Sequence, residues 1–333
     1  MGTLKLEYSV LGGFPRNRRV RHLVRDHENG LIDDLTYHRV LREETMAVLS
    51  AQEALGYKVL VDGMLDWHDI FRPFVNSWRG VYPSGLLRYF DNNFFYRIPV
   101  FHEAPEPMNY VWSNRIVWLD ERFPGKTIKI VVPGPVTFTA LSHNRTGKPD
   151  KWLLEKISYA LNKELKQLNK GEILVQVDEP ALIDIDFYSA FKGLIGEAYD
   201  ALFEGVSARK SVAIYFGCPI EEAYRELVDY GELDFIVLDM VNCSKDRLFH
   251  LVSEQGVTSS TIGLGVIESR DLFTDSYESI RDTVWKLAEA TNIDAFHLTT
   301  STWLDLIPYE YALLKTRLLS DYVTRLEREV VTS

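Results

Sequence analysis

The sequence predicts an α/β protein, a single (β/α)8 TIM barrel with an aromatic-rich insertion after its second strand. Three observations carry that expectation. Short β-rich apolar runs alternate with amphipathic segments along all 333 residues. The alternation gives eight strand–helix units, and eight parallel strands can close on themselves and leave no sheet edge exposed. The length also suits one barrel with insertions, since about 250 residues is typical of the fold.

In chain order, Lys5–Leu11 reads as a first strand that breaks on Gly12-Gly13-Phe14-Pro15. The densest basic run follows, with Arg16, Arg18, Arg19 and Arg21. Leu35–Leu55 has the spacing of an amphipathic helix, and Gly56 is its natural stop. Tyr57–Val61 is a second buried strand closing on Asp62-Gly63-Met64. Thr127–Val132 is a third, ending in Pro133-Gly134-Pro135, and the helix 151–169 leads into the fourth.

That fourth strand is the most informative stretch. Ile173, Leu174, Val175 and Val177 form an apolar run too short for a surface helix, as in a strand buried on both faces. It ends in two carboxylates, Asp178 and Glu179, and then Pro180, which offers no N–H to continue the ladder. Four further strands follow at Val212–Phe216, Phe235–Asp239, Thr261–Ile267 and Ala295–Leu298. Each precedes a helix, at Glu221–Val228, Lys245–Val252, Ser279–Ala290 and Tyr309–Leu326.

Residues 65–125 do not fit the rhythm. They hold Trp67, His68, Phe71, Phe74, Trp78, Tyr89 and Phe90 among many aromatics, and are too long for a simple connection. We read them as an insertion or lid over the barrel mouth, within one domain spanning 1–333.

Composition narrows the function. A formal charge of −11 argues against bulk nucleic-acid binding, which demands a basic face. No apolar window is long enough to span a membrane. The start, MGTLKLEYSV, lacks the pattern of a signal peptide, so a cytoplasmic location is expected. Two cysteines, Cys218 and Cys243, cannot form a disulfide framework, and they read as small buried apolar residues.

Barrel ligands bind at the C-terminal strand ends. Those tips carry Gly13, Asp62, Gly134, Asp178, Asp239, Glu268 and Thr300, a largely acidic rim with one basic loop. No P-loop or dinucleotide fingerprint is present. Asp178 is the expected ligand-facing carboxylate, Glu179 a structural one, and Asp239 a rim carboxylate suited to either role. Trp67, with His68 and Asp69, could stack on a flat ring or pack a lid. Arg16 and Arg19 suit an anionic ligand, since a guanidinium pairs a carboxylate bidentately.

Four segments occur in order: Leu11-Gly-Gly-Phe-Pro-Arg16, Val59-Leu-Val-Asp-Gly63, Val132-Pro-Gly-Pro-Val-Thr137 and Val175-Gln-Val-Asp-Glu-Pro-Ala-Leu182. Together they resemble the cobalamin-independent methionine synthase family, built from two similar (β/α)8 barrels, of which this chain has the length of one. The resemblance implies methyl transfer from a folate to homocysteine in methionine biosynthesis. In the family's C-terminal barrel, zinc binds a His-x-Cys after strand five, a Glu after strand six and a Cys after strand eight. Here those places hold Gly217-Cys218, Asp239 and Thr299-Thr-Ser-Thr302, and Met64 stands where a substrate-binding Glu is expected. Tyr215-Phe-Gly, Asp239-Met-Val-Asn and Leu264-Gly-Val-Ile-Glu-Ser-Arg270 are instead similar to the N-terminal barrel, which carries no metal and helps bind the folate polyglutamate tail.

The resemblance therefore implies an N-terminal-type half, with zinc expected on a separate catalytic barrel as its partner. Arg16 and Arg19 are the residues it points to for the polyglutamate. No metal is expected on this chain, and the one alternative zinc set is Cys218 and Asp239 with His102 or His297. Two other functions stay open: an autonomous homocysteine methyltransferase using a methylcorrinoid or folate, and a non-catalytic scaffolding or regulatory barrel.

Overall fold

The computed structural model describes residues 4–168 and 172–332, so Asn169, the predicted end of the helix before the fourth strand, lies outside the described residues. Strand β1 (Lys5–Ser9) is followed by helices α1 (Arg18–Glu28) and α2 (Asp34–Ala54), then β2 (Val59–Val61). The region after β2 holds α3 (Arg72–Ser77), the hairpin β3 (Trp78–Arg88) and β4 (Phe95–Pro107), and α4 (Ser113–Arg122). The chain continues through β5 (Thr127–Pro133), α5 (Pro135–Ala140), the short β6 (His143–Asn144) and α6 (Asp150–Leu165). Next come β7 (Glu172–Asp178), α7 (Ile185–Ser189), α8 (Ile195–Phe203), β8 (Arg209–Ile214) and α9 (Glu221–Tyr230). The last units are β9 (Phe235–Asp239) with α10 (Lys245–Gln255), β10 (Thr261–Ile267) with α11 (Tyr277–Thr291), and β11 (Ala295–Thr300) with α12 (Tyr309–Thr332).

Eight of these strands form one sheet in the order β1-β11-β10-β9-β8-β7-β5-β2, and every pairing is parallel. Its two end strands, β1 and β2, lie side by side, so the sheet is a nearly closed (β/α)8 barrel. At the mouth the seam is tied by Phe14 N–H donating to Gly63 O at 2.8 Å. The strands are buried on both faces by apolar runs, with every residue of β5 and β9 buried.

The aromatic insertion takes shape as the antiparallel β3–β4 hairpin, with β6 added along β4. Phe71, Phe74, Trp78 and Phe101 pack against Phe138 or one another, which anchors the hairpin to the barrel.

Most strand ends fall within two residues of the expected ones, and two larger differences bear on the site. The basic run is not a loop, because Asn17 caps a helix by accepting from Val20 N–H, and Val20, Leu23 and Val24 bury its inner face. Strand β8 begins at Arg209 rather than Val212 and stops before Phe216, whose φ of 75° turns the chain out of the sheet.

Candidate functional site

At the C-terminal end of the barrel is a cleft of about 340 Å³. Arg16, from the β1–α1 connection, and Arg21, on α1, line one side. Trp67 and His68, after β2, line another, and Trp303 and Asp305, after β11, close the third. A narrow throat of about 20 Å³ adjoins it, sharing Phe94, Trp303 and Asp305 and reaching Tyr215 and Phe216.

Trp303 is the centre of this arrangement. Its ring lies so close to the chain after β1 that a Cβ at Gly12 would stand 2.1 Å from Nε1, and one at Gly13 2.5 Å from Cε3. Only glycine admits that approach. The indole N–H donates to Asp178 Oδ2 at 2.9 Å.

Asp178 is fully buried beneath the indole. Oδ1 accepts from Gln176 Nε2 at 2.8 Å, and Oδ2 also accepts from the Tyr215 hydroxyl at 2.9 Å. Burial pushes its carboxyl up to about 6, although these three donors and Lys129 pull the other way. The expected ligand-facing carboxylate is therefore screened from the cleft in this conformation.

Glu179 is placed as a structural group. It accepts from Val136 N–H at 3.0 Å, Thr137 N–H at 2.8 Å and Thr137 Oγ1 at 2.6 Å. The two most specific sequence segments, Pro133–Thr137 and Asp178–Leu182, thus lock together.

The predicted arginines separate. Arg16 is half-buried and lines the cleft, with Nε donating to Leu65 O and Nη2 to Trp67 O, both at 2.7 Å. Nη1 makes no hydrogen bond among the described residues. Arg19 points away, paired with Glu43 at 2.6 Å and Glu44 at 2.7 Å on α2. Trp67 reaches the cleft but is buried, packed on Phe74, Trp112 and Trp303. It is a wall, not an open stacking platform.

Asp239 caps its own loop. Oδ1 accepts from Val241 and Asn242 N–H at 3.0 and 2.9 Å, and Oδ2 from Phe216 N–H and Asn242 Nδ2 at 2.9 and 2.7 Å. Cys218 and Cys243 are not separate apolar thiols. They form a disulfide across the loops after β8 and β9, bringing two sulfurs 25 residues apart together. The alternative zinc set does not fit. Cys218 is spent in the disulfide and both Asp239 oxygens are engaged. His102 stacks on Tyr82, and His297 is held inside the barrel by Ser9 and Glu7.

Asp305 escaped the sequence reading. Part of its surface reaches the cleft, and no other side chain among the described residues hydrogen-bonds its carboxylate. Burial pushes it up to about 7, with Arg16 pulling it down. Only the closure of β11 against β1 brings it beside Arg16, so no local pattern announces it.

A family model described as "Cobalamin-independent synthase, N-terminal domain" matches residues 77–292. The chain is similar to a methionine synthase of Sulfurisphaera tokodaii, 24% identical over 93% of this chain and 89% of that protein. It is also similar to a 5-methyltetrahydropteroyltriglutamate–homocysteine methyltransferase of Thermotoga maritima, 24% identical over 90% of this chain but only 42% of that protein. In fold, it superposes on a B12-independent methionine synthase from Shewanella sp. W3-18-1, solved in complex with selenomethionine. That match has a TM-score of 0.81 at 16% identity and covers 100% of both chains.

Proposed function

Because the chain belongs to the cobalamin-independent methionine synthase family, we propose that it acts in the cytoplasm as an N-terminal-type barrel with a separate zinc-bearing barrel. Together the two would move a methyl group from a folate polyglutamate to homocysteine. The observation that carries this reading is what occupies the strand ends. A disulfide follows β8, a self-capped aspartate β9 and an indole plug β11, beside a cleft lined by arginines.

The chain's own residues would then bind and orient. Arg16 Nη1 and Arg21 give the anionic tail a pair of cations at the cleft wall. Trp67 and Trp303 supply apolar surface for the ring system, and the β3–β4 hairpin serves as the lid on that side. Leu86, Leu87 and Phe95 on the hairpin and Leu272 and Phe273 after β10 are exposed apolar residues on connections that leave the mouth, a surface a partner barrel could cover. In the family the zinc holds homocysteine as its thiolate, a task this reading assigns to the partner.

A second reading, an autonomous methyltransferase, draws on the S. tokodaii relative, which this chain matches over nearly its whole length. Methyl transfer from 5-methyltetrahydropteroyltriglutamate to homocysteine, measured with the chain alone and with a zinc-bearing barrel of the family, separates the two. Turnover only in the mixture is expected. Turnover by the chain alone defeats the half-enzyme reading, and no turnover in either arm leaves a scaffolding barrel.

A further inference from the structure

A continuous line of polar side chains runs up the inside of the barrel, where apolar layers are the norm. At its foot, Arg209 Nη2 donates to Glu7 Oε2 at 2.8 Å, and the same oxygen meets His297 Nδ1 at 2.8 Å. His297 Nε2 lies 2.9 Å from Ser9 Oγ, and Lys129 Nζ lies 2.9 Å from the same hydroxyl. Lys129 also donates to Val10 O at 2.6 Å and Gln176 Oε1 at 2.9 Å. Gln176 Nε2 leads on to Asp178, which Tyr215 and Trp303 hold from above.

The acceptors fix where the protons sit. Val10 O and Gln176 Oε1 can only accept, so they take two N–H groups of Lys129. When the third goes to Ser9, the serine donates to His297 Nε2, and a neutral imidazole gives its Nδ1–H to Glu7. The alternative moves one proton from Lys129 to Ser9 Oγ while Ser9 passes its own to His297 Nε2. Lys129 is then a neutral amine and His297 an imidazolium against Glu7. Both states hold the same protons and differ in whether the positive charge stands near Asp178 or near Glu7.

We infer that Lys129 is a positioning residue: by holding that charge beside Asp178 it keeps the carboxylate ionised and the Trp303 indole latched across the mouth. An ionised Asp178 receives charge-assisted bonds from Gln176, Tyr215 and Trp303, whereas a protonated one holds the indole N–H only through a weaker neutral bond. Loss of the charge loosens Trp303 into the adjoining cleft. The groups facing Lys129 are Glu7 and His297 below and Asp178 above; Tyr215, backed by Tyr89 with the two hydroxyls 3.5 Å apart, faces Asp178. Burial lowers the Lys129 ammonium to about 7 and raises Asp178 to about 6, so both groups change charge close to neutral pH, while burial also lowers His297 and so favours the state with the charge on Lys129. The inference stands whether or not the methyl-transfer reading does.

The test follows the Trp303 indole resonance in the 15N-labelled full chain, assigned with Trp303→Phe, together with its acrylamide quenching. Between about pH 8 and 5 the resonance shifts and quenching rises as Asp178 takes up a proton. In Lys129→Met the midpoint moves up by about one pH unit or more, because the buried carboxylate has lost its cation. Asp178→Asn abolishes the transition. A Trp303 signal that does not change with pH in the unsubstituted protein overturns the inference even if Lys129→Met fails to fold. So does an unchanged midpoint in Lys129→Met.

Discussion

Gly134 faces the Glu179 carboxylate so closely that a Cβ there would stand 2.0 Å from Cδ and 2.3 Å from Oε1. Its φ of −69° is open to any residue, so the requirement is one of space alone. Gly134→Ala is expected to cost about 2–3 kcal/mol by overpacking a side chain that three hydrogen bonds hold in place. Urea denaturation checks this. The same Ala in a Glu179→Ala background should add almost nothing, since the obstacle has gone. An equal cost in both backgrounds would mean that the backbone and not the carboxylate sets the limit.

Arg16 and Arg19, three residues apart on the basic run, should behave differently. Arg16→Met removes two charge-assisted bonds to the carbonyls of Leu65 and Trp67 and should cost about 2–3 kcal/mol. It should also weaken binding of pteroyltriglutamate, followed by tryptophan fluorescence. Arg19→Met loses an exposed pairing with Glu43 and a part-buried one with Glu44, which Asn17 still holds, so the stability read from the unfolding midpoint should fall by only about 1 kcal/mol and that binding should not move.

Much of this architecture could be read from periodicity. Phe235–Asp239 and Thr261–Ile267 are strands with the predicted bounds, because parallel strands buried on both faces are unbroken apolar runs. Where polar side chains point into the barrel, the signal fails. Arg209 and Lys210 look like loop, yet Arg209 opens β8 because Glu7 receives it inside. Lys129, in the middle of β5, was readable as strand but not as the hub of a polar line. At the site, Arg16 and Trp67 were legible from their place after strands. Trp303 and Asp305 were not, since their meaning depends on Gly12 and Gly13, nearly the whole chain away.

The Cys218–Cys243 bridge closes a loop of 25 residues between two strand ends. Constraint of the unfolded chain alone should give it about 3.5 kcal/mol. The native protein purified without reductant should show no reactive thiol, and a phosphine reductant should lower its denaturation midpoint accordingly. The double substitution Cys218→Ser with Cys243→Ser should match the reduced protein and ignore the reductant. Two thiols titrating in the untreated protein would refute the bridge.

Glu7 provides the test of pH dependence. Burial alone would raise its carboxyl, but hydrogen bonds from His297 and Arg209 outweigh it and hold the group well below the usual carboxylate range. The native state therefore binds fewer protons than the unfolded one below the ordinary value of 4.5. Its contribution is present in full above that value and is lost as pH falls towards the native one. Asp178 and Asp239, both raised to about 6, have the opposite sign: their contribution is lost as pH rises through that value. From about pH 6 down to 4.5 only the two aspartates change, between about 4.5 and 4 the two effects oppose each other, and below that, of these three groups, Glu7 alone still changes. Glu7→Gln should cost about 1–3 kcal/mol at neutral pH. The gap between variant and parent, from denaturation at a series of pH values, should stay constant down to about pH 5 and close below it. A gap that persisted unchanged into acid would show that Glu7 contributes through its shape and hydrogen bonds, not through its charge.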